Sequence, residues 1–386
     1  MNSRWLGRAT IVALAALLPL RTPAIDEQEQ RERLQFESAR IEAAIAKQGL
    51  LYGDTALDAY LQSVTDRMFP EVPPGKLRIH AIRDEEMNAF ALPSGAIYVN
   101  TGALLRIRNE AELASLLGHE VTHVTAEHAL QGARSGKVLA GAALVLSAGM
   151  TAAIGFDPML AQLAAYSTMA GFSRGHEREA DDLGLQRMIR AGYDTSAMAI
   201  FFDRVRRELE ARKIKEGLYA FATHPRFESR VEATTAETPP ATPGVLQREE
   251  YLAATNKVRR EVLQELRERR QGTALTFLLG DEAMADEYVP EGRFLLGEGY
   301  RLRGEAGDAE RAAEQYRLSI ERAPDYAPAW GALGRHYART GDSAQALQCL
   351  EHYLELAPDA RDAPFARQTV EKLRHGATPT SQGQTP

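Results

Sequence analysis

The hydrophobic residues of this chain follow a helical period along most of its length, with one short interruption. Residues 25–48 and 55–68 each alternate charged and apolar positions as amphipathic helices do. Residues 77–82 alternate apolar and polar side chains, residues 96–100 are rich in strand-forming residues, and residues 92–95 carry the proline and glycine of a turn. The pattern predicts two helices and then a small β-sheet, whose exposed edge could bind an extended peptide by strand addition.

A longer helix is predicted directly after this sheet. Asn109 is a favourable N-cap residue, and Glu112 stands where a capping box places its acidic partner. Apolar residues then recur three or four positions apart, at Leu113, Leu117, Val121 and Val124. His119 and His123 lie on a different face of this helix, so one face can pack while the other presents the two imidazoles.

The C-terminal part of the chain repeats itself every 34 residues. The tripeptide Ala-Pro-Asp at 323–325 recurs at 357–359, and a Gly-Asp pair at 307–308 recurs at the same offset. This is the period of the tetratricopeptide repeat, whose characteristic positions are matched by Trp330, Leu333, Gly334 and Tyr337. Two repeat units are therefore expected over 293–360, with a capping helix at 361–375 and a concave surface that binds peptide or a protein partner.

The N-terminus has the composition of a secretory signal peptide. Arg4 and Arg8 form its positive region, and residues 11–20 form an apolar run that is too short to span a bilayer comfortably. Small residues suit cleavage after Ala24, and an uncleaved N-terminal anchor is the alternative. Because Cys349 is the single cysteine, an exported chain has no internal disulfide, and we expect this thiol to be a small core residue.

Against this background, the motif His-Glu-Val-Thr-His at 119–123 carries chemistry. His119 and His123 lie one helical turn apart, so both imidazoles can reach one metal ion. Glu120, between them, can reach a water bound to that metal. Two histidines and a carboxylate suit zinc, and we expect one Zn²⁺ per chain.

A second motif, His-Glu-Arg-Glu-Ala-Asp at 176–181, is expected to complete the site. Catalytic zinc usually has three protein ligands, and Glu177 is the best candidate for the third. Asp181 shares a helical face with Glu177 and can orient a ligand histidine. The alternative is an ordinary acidic surface with Arg174 and Arg178 as partners, but the apolar helix around the histidines favours the metal.

Residues 138–156 contain no charge, and residues 159–172 are again mostly apolar. The length would just permit a membrane span. One span here would separate His123 from Glu177 on opposite sides of the membrane. A buried or membrane-facing hairpin over 138–172, with peripheral membrane contact, is therefore the favoured interpretation.

Three segments of the chain resemble one family. The sequences at 88–95, 118–123 and 177–181 resemble those of the CAAX-prenyl-protease/HtpX-like zinc metallopeptidases, and the likeness covers most of residues 40–232. The resemblance implies that His119, His123 and Glu177 bind zinc. It implies that Glu120 is the general base that activates water for attack on a peptide bond.

A later motif of the same family is matched by residues 223–225, with Arg230 downstream. The resemblance places His224 near the zinc, where it can occupy the open position and keep the enzyme inactive. Arg230 is the candidate for stabilising the oxyanion. A solvent-facing loop histidine before a proline is the alternative for His224.

Taken together, the expected fold is α+β and mainly α, an HExxH zincin-type metalloprotease domain with a small β-sheet followed by an α-helical tetratricopeptide-repeat solenoid. The net charge of −7 argues against nucleic acid as the main partner. The predicted segments are a signal peptide at 1–24, the metalloprotease domain at 25–233, a flexible linker at 234–246, the repeat domain at 247–375 and a disordered tail at 376–386.

With its signal peptide and C-terminal repeats, the chain resembles the secreted form of this family. This resemblance implies a zinc-dependent endopeptidase of the Gram-negative periplasm. Its expected substrates are misfolded or stalled outer-membrane proteins recruited by the repeats, and the β-barrel assembly machinery is a candidate partner. A non-proteolytic assembly chaperone or adaptor with a structural zinc is the second hypothesis. A membrane-embedded prenyl-type protease is disfavoured because clear spanning helices are absent from the sequence.

The remaining candidates have weaker grounds. His80, on a predicted strand, is expected to be structural or exposed, as are His128 and His176. His128 stands five residues beyond His123, which on a continuing helix directs its side chain elsewhere. Asn88 could bind substrate backbone, but a role at a turn or strand end is an equal alternative.

Overall fold

The computed structural model of the chain describes residues 26–134, 172–214 and 242–376. The first range contains helices α1 (Glu27–Lys47), α2 (Thr55–Met68), α3 (Thr101–Arg106), α4 (Glu110–Thr125) and α5 (His128–Arg134), and strands β1 (Arg78–Ile82), β2 (Ala89–Ala91) and β3 (Ala96–Asn100). The second contains α6 (Arg174–Arg190) and α7 (Ser196–Ala211). The third contains α8 (Arg248–Glu268), α9 (Gly272–Leu279), α10 (Glu282–Glu287), α11 (Glu291–Arg303), α12 (Asp308–Arg322), α13 (Ala327–Thr340), α14 (Ser343–Leu356) and α15 (Ala363–Gly376). The predicted fold class, mainly helical with one small sheet, is confirmed.

Several sequence predictions concern residues outside these ranges. They are the signal peptide at 1–24, the apolar segment at 138–171, His224, Arg230, residues 234–241 of the predicted linker and the tail from residue 377 onward. Each of them stays a prediction. Within the described part of the chain, none of the helices combines the length and the apolar character that crossing a membrane requires.

The sheet has the strand order β1-β3-β2, with β1 parallel and β2 antiparallel to the central strand β3. The short strand β2 is not among the predicted strands. The predicted turn after it closes through a 2.8 Å hydrogen bond from the Leu92 amide to the Ala96 carbonyl. Gly95 in this turn has a φ of 89°, and a Cβ there would lie 2.0 Å from the Lys76 carbonyl oxygen, so glycine is required.

Helices cover both faces of the sheet. Because successive strand residues point to opposite faces, Phe90 and Tyr98 pack in a cluster with Ile45 of α1. Their neighbours Ile97 and Val99 point the other way, into the main core that α2 and α4 share. The sheet is thus held between the N-terminal helix and the helix that carries the first histidine motif.

The C-terminal helices pack as antiparallel pairs, α11 with α12 and α13 with α14, and α15 follows as the expected capping helix. Glycines allow the close approach within each pair. A Cβ at Gly297 would lie 2.5 Å from the Tyr316 ring, and one at Gly334 would lie 2.7 Å from the Leu350 side chain. Cys349 is buried in this interface, as a small core residue would be.

Helix α8 joins the repeats to the sheet-containing part of the chain. The Tyr251 hydroxyl donates to the Leu104 carbonyl at 2.5 Å, and the buried Arg259 guanidinium donates to the Ile107 carbonyl at 3.2 Å. One hydrophobic cluster runs without a break from Tyr52 to Cys349. The two parts therefore share a core. The predicted boundary between the two domains, after residue 246, stays a prediction.

Candidate metal centre

Two helices, α4 and α6, bring the two polar motifs together. They cross where Gly118 faces Gly184, and a Cβ on Gly184 would lie 3.1 Å from the Gly118 carbonyl carbon and 3.2 Å from the His119 amide nitrogen. The absent side chains let the two backbones approach. Directly after Gly118, His119 meets the side chains of Asp181 and Glu177, which lie about one and two turns before Gly184 on α6.

The motif helix α4 begins as its sequence predicts. The Asn109 side chain accepts a hydrogen bond from the Glu112 amide at 2.9 Å. The Glu112 carboxylate accepts from the Arg108 amide at 2.8 Å, one residue before the amide that a standard capping box uses. The second helix, α6, has a capping box that the sequence analysis does not include, formed by Ser173 and the ring of His176.

Three buried side chains that can each offer one ligand atom to a metal ion meet between these helices. His119 Nε2 lies 3.0 Å from His123 Nε2, and each of these nitrogens lies 3.6 Å from an oxygen of Glu177. Ligands at zinc bond lengths of about 2.1 Å in a tetrahedron are about 3.4 Å apart. The three side chains therefore fit one zinc ion without rearrangement of the helices. We keep the name metal triad for His119, His123 and Glu177.

Asp181 contacts the triad from behind. Its Oδ1 atom lies 2.8 Å from His119 Nδ1. When Nδ1 carries the proton and donates it to this carboxylate, the lone pair of His119 lies on Nε2, the atom that faces the other two donors. Asp181 is mostly buried, with 15% of its side chain exposed. The geometry is that of a carboxylate that fixes the tautomer of a ligand.

His128 also reaches the triad, which its position in the sequence does not predict. Its Nδ1 atom lies 3.0 Å from His123 Nδ1, and its side chain is fully buried. Helix α4 ends at Thr125, and Glu127 takes a left-handed φ of 54°, so the chain turns back before α5 begins. Burial lowers the pKa of His128, and the nearby His176 adds to this effect.

The remaining candidate residues are Glu120, His80 and Asn88. Glu120 is buried within α4 between the two histidines, and its role as general base stays a prediction. His80 of β1 pairs with Asp58 of α2 at 2.9 Å and is not one of the three side chains that form the triad. Asn88 is buried just before β2, where its carbonyl accepts from the Asn100 amide at 3.0 Å.

The glycine crossing gives a testable consequence. Replacing Gly184 with Ala places a methyl group against the α4 backbone, so we expect the helices to separate by a few tenths of an ångström. Overpacking of this kind lowers the free energy of unfolding by about 1–3 kcal/mol. It also moves Glu177 away from His119, and we expect zinc to bind roughly tenfold more weakly, as for other changes around a metal site.

Thermal unfolding and zinc competition with a chromophoric chelator measure the two effects. The matched control is Gly175→Ala in the same helix. A Cβ there would meet nothing closer than the Ser173 hydroxyl at 3.4 Å, which is ordinary contact. Equal zinc affinity for Gly184→Ala and the wild type would show that the crossing does not set the ligand positions.

Comparison with known proteins agrees with this geometry. The model of peptidase family M48 matches residues 55–238, which include both motifs, and a tetratricopeptide-repeat model matches residues 305–366. The resemblance to zinc metallopeptidases that the two motifs indicated is confirmed.

Three curated relatives illustrate the similarity. The chain is 29% identical over 214 residues to the β-barrel assembly-enhancing protease of Escherichia coli strain K12, covering 53% of this chain and 44% of that protein. It is 28% identical over 191 residues to the protein of the same name from Yersinia pestis, covering 47% and 39%. It is 27% identical over 206 residues to the mitochondrial metalloendopeptidase OMA1 of Schizosaccharomyces pombe, covering 51% and 60%. The chain spans about half the length of these relatives, and it combines a domain of peptidase family M48 with C-terminal tetratricopeptide repeats.

Proposed function

We propose that this chain is a zinc-dependent endopeptidase of the periplasm that cleaves misfolded or stalled outer-membrane proteins. The observation that carries the proposal is the buried metal triad, with Glu120 on the same helix between the two histidines. A structural zinc site has no need of a buried glutamate beside its ligands. The names of the bacterial relatives, which refer to β-barrel assembly, support the substrate class.

The chain's own residues supply the proton transfers of hydrolysis. A zinc ion in the triad supplies Lewis-acid chemistry, which acidifies water and polarises a carbonyl. The Glu120 carboxylate takes a proton from the attacking water and returns it to the departing amine nitrogen, so no net proton is consumed. Asp181 holds the His119 ring in place throughout. Burial of the triad keeps bulk water away from these groups.

The edge strand β2 is suited to hold an extended substrate. The Leu92 amide donates a hydrogen bond toward β3, and the Asn88 carbonyl accepts one from β3, so the backbone groups of these two residues face inward. Because this direction alternates along an antiparallel strand, the backbone groups of Ala91 face outward. An apolar cavity of about 210 Å³ opens beside this edge. It reaches the triad, because its lining residues include Leu34, Leu92, Pro93, His123, Leu130 and Phe172. We infer that β2 pairs with substrate backbone while the cavity receives an apolar side chain.

In this proposal the repeats recruit substrates for the site. They share a hydrophobic core with the metal-binding part, so a protein bound on their surface stays at a fixed distance from the triad. Contact with the β-barrel assembly machinery through the same surface is part of the proposal. Peripheral membrane contact through 138–172 would place the site near nascent outer-membrane proteins.

We further propose that the enzyme inhibits itself through His224. A histidine that takes the fourth position of a three-ligand site excludes both water and substrate. Arg230, downstream, would act on the oxyanion once the loop has moved. Replacement of His224 with Ala would then increase cleavage of every substrate. Unchanged rates would refute the self-inhibition and leave the proposed role of the triad intact.

The proposed function is tested with the full mature chain and an unfolded outer-membrane β-barrel protein. We expect cleavage of the unfolded protein, little cleavage of its folded form, loss of activity after chelation and recovery on addition of Zn²⁺. Substrate aggregation is followed in the same samples. Suppressed aggregation without cleavage, by a zinc-loaded chain whether or not His224 is replaced, would contradict the protease and support the chaperone hypothesis.

A further inference from the structure

A second cluster of rings lies beside the metal triad, with His128 fully buried and His176 half-buried, and its two histidines have no part in the proposed mechanism. It is formed by His128, His176 and Phe172, with Glu179 at its outer end. Phe172 stacks on the His123 ring with a centroid distance of 3.9 Å, and His176 stacks on His128 at 4.5 Å. The His128 ring lies between the triad and the solvent-facing carboxylate of Glu179.

The hydrogen-bond directions in this cluster follow from the triad itself. His123 presents Nε2 to the other two donors, at 3.0 Å from His119 Nε2. A neutral imidazole that keeps its lone pair on Nε2 carries its proton on Nδ1. Within the part of the chain that the structure describes, His128 Nδ1 accepts that proton from 3.0 Å away. His128 must then carry its own proton on Nε2, which donates to Glu179 at 3.4 Å.

We propose that His128 is a positioning residue that orients His123 for metal binding, as Asp181 orients His119. This inference rests on the proposed zinc site. Each ligand histidine then has one acceptor behind its Nδ1–H group, a carboxylate for the first and a neutral imidazole for the second. Such outer contacts fix ring orientation and tautomer, and their removal weakens metal binding 10–100-fold in comparable sites.

The surroundings of His128 hold the acceptor still. The ring is fully buried and stacks face to face on His176, with an angle of 8° between the two planes. His176 is itself fixed, because its Nδ1 accepts from the Ser173 amide in the cap of α6. The stack fixes the plane of the His128 ring. A half-turn about its Cβ–Cγ bond keeps that plane but moves both nitrogens away from His123 and Glu179, so these two contacts select the observed orientation.

Zinc affinity of the full chain, measured by competition with a chromophoric chelator, tests the inference. His128→Leu keeps an apolar side chain in the site but removes the acceptor, and we expect zinc to bind about 10–100-fold more weakly. His128→Asn places an amide oxygen where the ring nitrogen was, and we expect its affinity within about threefold of wild type. The absorption spectrum of the Co²⁺-loaded protein should change in the Leu variant and be restored in the Asn variant.

Two controls separate positioning from folding. His80→Leu removes a histidine of β1 that pairs with Asp58 of α2 and is not part of the triad, so it should lower thermal stability and leave zinc affinity unchanged. Asp181→Leu, which removes the acceptor behind His119, should weaken zinc binding as His128→Leu does. Wild-type affinity in His128→Leu would overturn the inference and leave the protease proposal standing, and equal losses in the Leu and Asn variants would assign His128 a packing role only. A wild-type chain that binds no zinc would overturn both proposals.

Discussion

Replacement of Glu120 with Gln is expected to reduce peptide cleavage about a thousandfold while zinc remains bound. The amide has nearly the size of the carboxylate, so the helix and the three ligands keep their places. It cannot accept a proton from water or return one to the leaving nitrogen, and such proton transfer contributes roughly 10²–10⁴-fold to rates. The loss should appear in kcat, because the proposed role of Glu120 is proton transfer in the transition state and not substrate binding.

The measurement is steady-state cleavage of an unfolded β-barrel protein, with zinc content determined on the same samples. Glu110→Gln is the matched control, since Glu110 is also buried in α4 but pairs with Arg67, Tyr60 and Tyr193. This control should lower stability and leave kcat nearly unchanged. Full cleavage activity in Glu120→Gln would show that this glutamate is not the general base.

Much of the metal centre could be predicted because its determinants are local. The spacing of His119 and His123 fixes their common face once the helix forms, and the Asn109 cap makes that helix recognisable. The spacing of Glu177 and Asp181 is equally local. Each motif therefore gives half of the site.

The rest depends on how distant segments meet. Gly184 is an unremarkable residue within a helical pattern, and its importance lies in the backbone of Gly118 opposite. His128 contacts His123 only because Glu127 adopts a left-handed conformation that ends the helical period. One local signal could have pointed to His128. A histidine shortly after a metal motif can contact a ligand histidine when the helix ends between the two residues.

The short strand β2 shows the same limit. Three residues are too few for the alternation that predicts a strand, and their pairing with β3 follows from the turn at Gly95. The predicted turn therefore contained the information, since two strands must flank a tight antiparallel turn. It is this edge that we assign to substrate binding.

A buried ion pair, which no sequence pattern announces, leads to the second large prediction. Arg106 at the end of α3 and Glu208 on α7 are 3% and 2% exposed, and they form two hydrogen bonds of 2.7 and 2.6 Å. The guanidinium also donates to the carbonyl of Glu85, at 2.9 Å. Because residue 85 lies in the loop before β2, the Arg106 side chain connects that loop to α7, the helix that packs against α4.

Replacing Arg106 with Met is expected to lower the free energy of unfolding by about 3–5 kcal/mol. The substitution keeps an apolar chain of similar length but leaves the Glu208 carboxylate buried, with Arg212 at 3.3 Å as its remaining ion-pair partner among the described residues. Chemical denaturation of the full chain measures the change. The control is Arg40→Met, whose pair with Glu37 is exposed and should contribute less than about 1 kcal/mol.

A second substitution distinguishes an uncompensated charge from lost packing. In the double variant Arg106→Met with Glu208→Leu no buried carboxylate is left, so we expect it to recover a large part of the lost stability. Recovery cannot be complete, because the Glu85 carbonyl still lacks its donor and Arg212 loses one of its partners. If the double variant were as unstable as Arg106→Met alone, the destabilisation would come from the loop before β2. Its peptide cleavage would then fall together with its stability, because that loop leads into the edge strand.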